Sequence, residues 1–141
     1  MQLTRHTDYA LRLLIHLAGT QGGLVQIADV ARHHGISQTH LMKVANRLSH
    51  LGMVETVRGR GGGVRLARAA EEINLADVVC GTEPGTPMVQ CAGCKLLKGG
   101  CHLPSIFGEG MAAFIDVLRK YSLAQLMKQD YFQRSPGPPA T

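Results

Sequence analysis

A glycine at position 35 separates two short amphipathic stretches, and a serine two residues later heads the second; this punctuation constrains the fold more than any other feature of the chain. Ile27, Ala28, Val30 and Ala31 line one side of a short helix that Gly35 stops, because glycine enters a left-handed turn without steric penalty. Ser37 is placed to cap a second helix reaching about Leu51, in which Leu41, Val44, Ala45, Leu48 and Leu51 recur at helical spacing. Two helices meeting across a tight glycine turn have helix-turn-helix spacing. Upstream, Thr4 caps a first helix to about Leu17, with Ala10, Leu11, Leu14, Ile15 and Leu17 as its apolar stripe and Gly19 as its stop.

Downstream, residues 54–58 and 64–66 read as two short strands joined by Gly59-Arg60-Gly61-Gly62-Gly63, a loop too rich in glycine to pack and carrying arginine at its tip. A helix-turn-helix followed by such a hairpin is a winged helix. The loop lacks the lysine and hydroxyl residue of a phosphate loop and opens no helix, so nucleotide binding is not favoured.

Charge agrees with a nucleic-acid partner. Through residue 70 there are nine Lys/Arg against three Asp/Glu, whereas the remainder has six against seven. A basic half is the footprint of a phosphate-binding face. The second helix of the pair exposes Gln38, Thr39, His40, Lys43 and Arg47 behind Ser37, residue types that reach base edges and phosphates, while Arg60 suits a minor groove and Arg58 and Arg65 suit backbone phosphates. The partner expected is double-stranded operator DNA. The first stretch carries Arg5, Asp8 and Arg12 among its apolar residues and suits neither a signal sequence nor a membrane span, so a cytoplasmic location without membrane partners is expected.

All four cysteines lie after residue 79, and three follow C-x2-C-x6-C at Cys91, Cys94 and Cys101, with Gly93, Gly99 and Gly100 between them. Thiols in a reducing compartment at such spacing point to a metal centre, and three are one fewer than structural zinc or ordinary iron–sulfur clusters take. On residue chemistry the fourth ligand is Asp8, a histidine, Cys80 or an exogenous molecule. Cys80, beside the apolar Val78 and Val79, reads as a small core residue. From Pro104 to Lys120 one long helix is expected, with Ile106, Phe107, Met111, Phe114, Ile115 and Leu118 as an apolar face that suits a dimer contact or its own domain. Ser122 starts a further short helix.

Taken together, MQLTRHTDYALRLLIHLA, ISQTHLMKVANRLSHLGMVETVRGRGGGVRL and the three-cysteine loop followed by LPSIFGEGMAAFIDVLRKYSLAQL resemble the small winged-helix iron–sulfur repressors, and in particular their nitric-oxide-sensing members. The resemblance implies a homodimer that responds to nitric oxide and holds an iron–sulfur cluster, 4Fe-4S in form with 2Fe-2S as the other possibility. It also implies that Cys91, Cys94 and Cys101 hold the cluster, with Asp8 of the second subunit as the oxygen ligand. The first two cysteines stand closer together than in that family's pattern. Where the cluster-biogenesis branch has its histidine ligand, three positions after the last cysteine, this chain has Pro104, and His102 directly follows Cys101.

The fold expected is therefore mainly α with a small β-wing: a winged helix-turn-helix DNA-binding domain over 1–80, a cluster-binding loop over 81–103, a dimerisation helix and C-terminal helix over 104–130, and a disordered tail over 131–141. The function expected is transcriptional repression relieved when nitric oxide reaches the cluster. The alternatives are a regulator reading iron–sulfur or redox status and, in a different class, a small iron–sulfur electron-transfer or carrier protein. No nucleophile–base pair or carboxylate pair suggests an enzyme.

Overall fold

A computed structural model describes residues 1–128. The tail expected over 131–141, and the last two residues of the 104–130 unit, lie outside the described residues. The first helix, α1 (Arg5–Ala18), begins where the Thr4 hydroxyl accepts a hydrogen bond from the Thr7 amide at 3.3 Å and ends at Gly19. It buries Thr7, Ala10, Leu13, Leu14 and Leu17. Two positions differ from the stripe read in sequence: Leu13 is fully buried, and Ile15 is 37% exposed. Both hydrophobic assignments have helical periodicity, and only the placement of the elements packed on α1, chiefly α3 and α4, decides which side is covered.

After the Gln21–Gly23 turn, α2 (Ile27–His34) stops at Gly35, whose φ of +65° is the left-handed cap expected. Ser37 caps α3 (Gln38–His50) by accepting from the His40 amide at 3.4 Å, and Leu41, Val44, Ala45 and Leu48 enter the core. The strands β1 (Val54–Val57) and β2 (Gly63–Leu66) pair antiparallel with Val54 opposite Leu66 and Glu55 opposite Arg65. Val25 adds a bridge on the other side of β2, its amide and carbonyl pairing with those of Val64 at 2.9 and 2.8 Å. This approach explains Gly63: a Cβ there would lie 2.6 Å from the Val25 carbonyl oxygen. Gly62 is under the same constraint from the Val57 carbonyl across the hairpin.

Asn74 caps α4 (Leu75–Thr82), its side chain accepting from the Ala76 amide at 2.9 Å. This helix runs two residues into the loop expected over 81–103 and includes Gly81, where an added Cβ would displace the side chain of Leu51. Cys80 is exposed, not a core residue, because the buried side of α4 is formed by Leu75, Ala76, Val78, Val79 and Thr82.

The cysteine loop then leads to α5 (Leu103–Leu118), which buries none of its residues. Leu103, Ile106, Phe107, Met111 and Val117 are exposed, Ile106 by 60%. Packing on its own domain, one of the two roles open in the sequence, is thereby confined to half-buried Phe114, Ile115 and Leu118. The last helix, α6 (Leu123–Leu126), returns to the winged core. Leu123 is fully buried there, its amide donates to the Ile73 carbonyl at 2.8 Å, and the Leu75 amide donates to the Tyr121 carbonyl at 3.0 Å. The segment that sequence grouped with the long helix therefore completes the core of the N-terminal unit.

Candidate nucleic-acid interface and metal centre

The outer side of α3 is mainly polar, with Met42 also exposed, and carries no acidic residue. Gln38, Thr39, Lys43, Asn46 and Arg47 are exposed along it, and Ser37 stands at its head. His40 is half-buried, its ring set edge-on to Tyr9 with centroids 4.8 Å apart and 6.2 Å from the ring of His6. His6 titrates below its ordinary 6.5 because burial disfavours the cation, with His40 and Arg47 adding repulsion against an opposing pull from Glu83. Arg47 donates from Nε to the Gly81 carbonyl at 2.7 Å, so its guanidinium is tied to the end of α4 as well as facing solvent.

On the wing Arg58 and Arg60 are exposed on the turn between the strands. Arg65 also has a partner within the wing, both side chains staying exposed: its Nε donates to Glu55 Oε2 at 2.9 Å across the register pair, and this bond raises its pKa further. Sequence reasoning passed over Arg68, whose guanidinium donates to the Gly52 and Leu51 carbonyls at 3.0 and 3.1 Å and holds the turn between α3 and the wing. An isolated arginine carries no pattern that would reveal such a bond.

The loop after α4 carries the thiols. Cys91 and Cys101 are half-buried, Cys94 is exposed, and all are unpaired. A turn brings the Cys94 amide to the Cys91 carbonyl at 3.0 Å, and Gly93 and Gly100 have φ of +77° and +81°, the conformations for which glycine is needed. Three unpaired thiols on a loop turned by glycines fit an iron–sulfur centre in donor chemistry.

Asp8 lies on the first turn of α1 and receives a hydrogen bond from Arg12 Nε at 3.0 Å, with the carboxylate side chain 45% exposed. Within one chain the geometry thus gives Asp8 an arginine partner. Beside the thiols, Thr86, Pro87, Met88 and Val89 of the loop and Phe107 and Met111 of α5 enclose an open apolar groove of about 640 Å³.

At the junction between winged domain and loop, the Glu83 carboxylate accepts from the Thr4 amide at 2.7 Å and the Thr4 hydroxyl at 3.0 Å, while the Thr82 hydroxyl donates to Thr7 at 3.0 Å. Partial burial opposes ionisation of Glu83, but hydrogen bonds from Thr7 and Thr4, with attraction from His6, outweigh it and hold the carboxyl below its ordinary range.

A capped reading helix, a basic hairpin and a thiol-bearing loop define a winged-helix DNA-binding regulator. Known proteins agree. Residues 3–129 match the Rrf2 model, described as an iron-dependent transcriptional regulator. The chain is 41% identical over 140 residues to the HTH-type transcriptional regulator NsrR of Bacillus licheniformis, covering 95% of this chain and 98% of that one. It is 44% identical over 133 residues to the protein of the same name from Bacillus subtilis, covering 91% of each. Among solved structures, IscR of T. potens superposes with a TM-score of 0.71 at 21% identity, over 98% of this chain and 94% of that one, a likeness of fold. The chain belongs to the Rrf2 family of transcriptional regulators. It is a DNA-binding regulator and not an enzyme. Among the described residues no helix is long and apolar enough to cross a membrane.

Proposed function

We propose that this chain is a cytoplasmic, homodimeric repressor whose grip on operator DNA depends on an iron–sulfur centre and is released by nitric oxide. The observation that carries the reading is the trio of unpaired thiols on a glycine-jointed loop, in a chain similar over nearly its whole length to regulators named NsrR. Cys91, Cys94 and Cys101 would hold the centre, of 4Fe-4S form, and Asp8 of the second subunit would complete it. When bound, such a centre supplies iron to which nitric oxide can coordinate. The dimer is supported by α5, whose exposed aliphatic and aromatic residues would be covered by a second copy of this chain.

Asp8 is suited to a reversible role. Its Arg12 partner is half exposed, and ion pairs of that kind contribute only about 0.2–1 kcal/mol, so Asp8 can leave it for iron at small cost. A carboxylate is also a hard ligand for a soft centre and is the ligand most readily given up. Asp8 bound to the partner's loop would hold α1, and with it the reading helix packed on α1, at one separation from its twin. Operator half-sites about 34–36 Å apart require a fixed separation. Release of Asp8 removes that restraint. Gln38, Thr39, His40 and Lys43 would then lose register with the bases, while Arg58 and Arg60 of the wing supply phosphate contacts that carry little sequence information.

The test is anaerobic purification followed by binding to a genomic DNA fragment selected by the protein, with and without nitric oxide. Iron and sulfide in the protein and loss of binding on nitric oxide addition are expected; absence of iron, or binding indifferent to the gas, overturns the reading. Asp8→Ala should retain the thiol-held centre with an altered visible spectrum and bind DNA with a weakened response to nitric oxide. An unchanged spectrum together with an unchanged response would remove Asp8 from the ligand set.

A further inference from the structure

Three histidines that take no part in the reading above converge where two helices end. His16 lies in the last turn of α1, and His33 and His34 lie in the last turn of α2. One ring nitrogen from each lies within 4.8 Å of the other two, and Nδ1 of His16 stands 3.1 Å from Nε2 of His34. The ring centroids are 4.8–5.3 Å apart, each pair edge to face. His16 and His34 are half-buried and His33 is exposed, so the group opens to solvent on one side.

The geometry points to a binding site for one divalent transition-metal ion of zinc type, held by His16, His33 and His34 with water in the fourth position. Imidazole nitrogens bind zinc at about 2.0–2.1 Å, which sets tetrahedral neighbours roughly 3.3 Å apart. The His16–His34 pair already has that spacing, and His33 needs only a side-chain rotation at an exposed position to match it. Imidazole is a ligand that zinc, nickel and copper accept.

The electrostatics favour a cation. Both helices bring their C-terminal turns to this region, and a positive charge at a helix C-terminus is stabilised by the backbone dipoles. The opposing charges are Arg12, one turn before His16, and Arg32 beside His33; each is already paired, with Asp8 at 3.0 Å and Asp29 at 2.9 Å. No covalent chemistry is involved: a ring N–H shared between His16 and His34 moves to the opposite nitrogen, and the freed lone pairs face the ion. An ion here would fasten the end of α1 to the end of α2, the first helix of the helix-turn-helix.

Titration calorimetry with zinc alone tests the site, on the full-length chain with its iron centre loaded, alongside His33→Gln and His34→Gln. The wild type should bind one more zinc per chain than either variant, or bind it at least tenfold more tightly, with iron content unchanged in all three. Zinc straying onto the thiol loop would appear equally in every protein and cancel from the comparison. Because His33 is exposed, His33→Gln keeps the fold, which circular dichroism of both variants verifies. Equal zinc uptake and affinity in wild type and variants, or no histidine-dependent uptake by the wild type, overturns the proposal.

Discussion

At the scale of single residues, the positions legible in the sequence are those whose role is satisfied within a few residues of chain. Thr4, Gly35 and Ser37 each cap or stop a helix through neighbours within the same turn, and each is found doing so. Glu83 is the contrary case. Its partner Thr4 is 79 residues away, and no local pattern marks it. Glu83→Gln should lower stability by about 1 kcal/mol, the scale of a charged hydrogen bond discounted for partial exposure. The pH signature separates charge from shape. With its folded pKa below the ordinary 4.5, Glu83 contributes stability that is complete above that value and is lost as pH falls through the folded pKa. Urea unfolding at a series of pH values should therefore show a steeper loss below pH 4.5 in the wild type than in the variant. Cys80 was misplaced for a related reason: the apolar Val78 and Val79 before it say nothing about which side of α4 is covered.

At the scale of elements, α3 and the wing were readable because glycine, capping and periodicity agree along a continuous stretch. Their two basic contributions differ in kind. Arg60 lies exposed between the strands, whereas Arg65 is held by Glu55. Arg60→Ala should weaken binding to all DNA sequences nearly uniformly and reduce the slope of log affinity against log salt by about 1, measured by fluorescence anisotropy. A change confined to one operator position would reassign Arg60 to base reading. The sequence also delimited α5 but left its partner open, since an apolar stripe looks the same against its own core or another chain. Its lack of any buried residue leaves an apolar face that the proposed dimer would cover. Ile106→Glu should shift the monomer–dimer equilibrium at least about tenfold toward monomer in sedimentation experiments, given the roughly 1.5–3 kcal/mol that a fully buried aliphatic side chain contributes. An unchanged dimer would locate the contact elsewhere.

At the scale of the whole molecule, the core closes only when the chain comes back. Leu123 packs with Leu13, Leu14 and Ile73, although α5 and the cysteine loop intervene between it and the rest of the winged unit. Leu123→Ala should cost about 2–5 kcal/mol, read by thermal unfolding, because the hole it leaves lies in the main core. A loss below 0.5 kcal/mol, within the usual range for a surface substitution, would show that α6 is peripheral. A boundary drawn from composition misses this return, since Leu123, Leu126 and Met127 form too short an apolar set to say which core they join. The thiol loop, by contrast, was legible as chemistry and not as shape, because cysteine spacing specifies donors while the surrounding glycines leave the path open.

The bonds from Glu83 to Thr4 and from Thr82 to Thr7 have a mechanical meaning for the proposed dimer. They clamp the start of the thiol loop to the start of the helix that carries Asp8, so within one chain the two move as a single lever. If each chain lends Asp8 to its twin, the levers are geared: disturbing one centre displaces the ligand given to the other. Two chemically separate sites would then fail together, and the dimer would answer nitric oxide as a cooperative switch, not as two independent detectors.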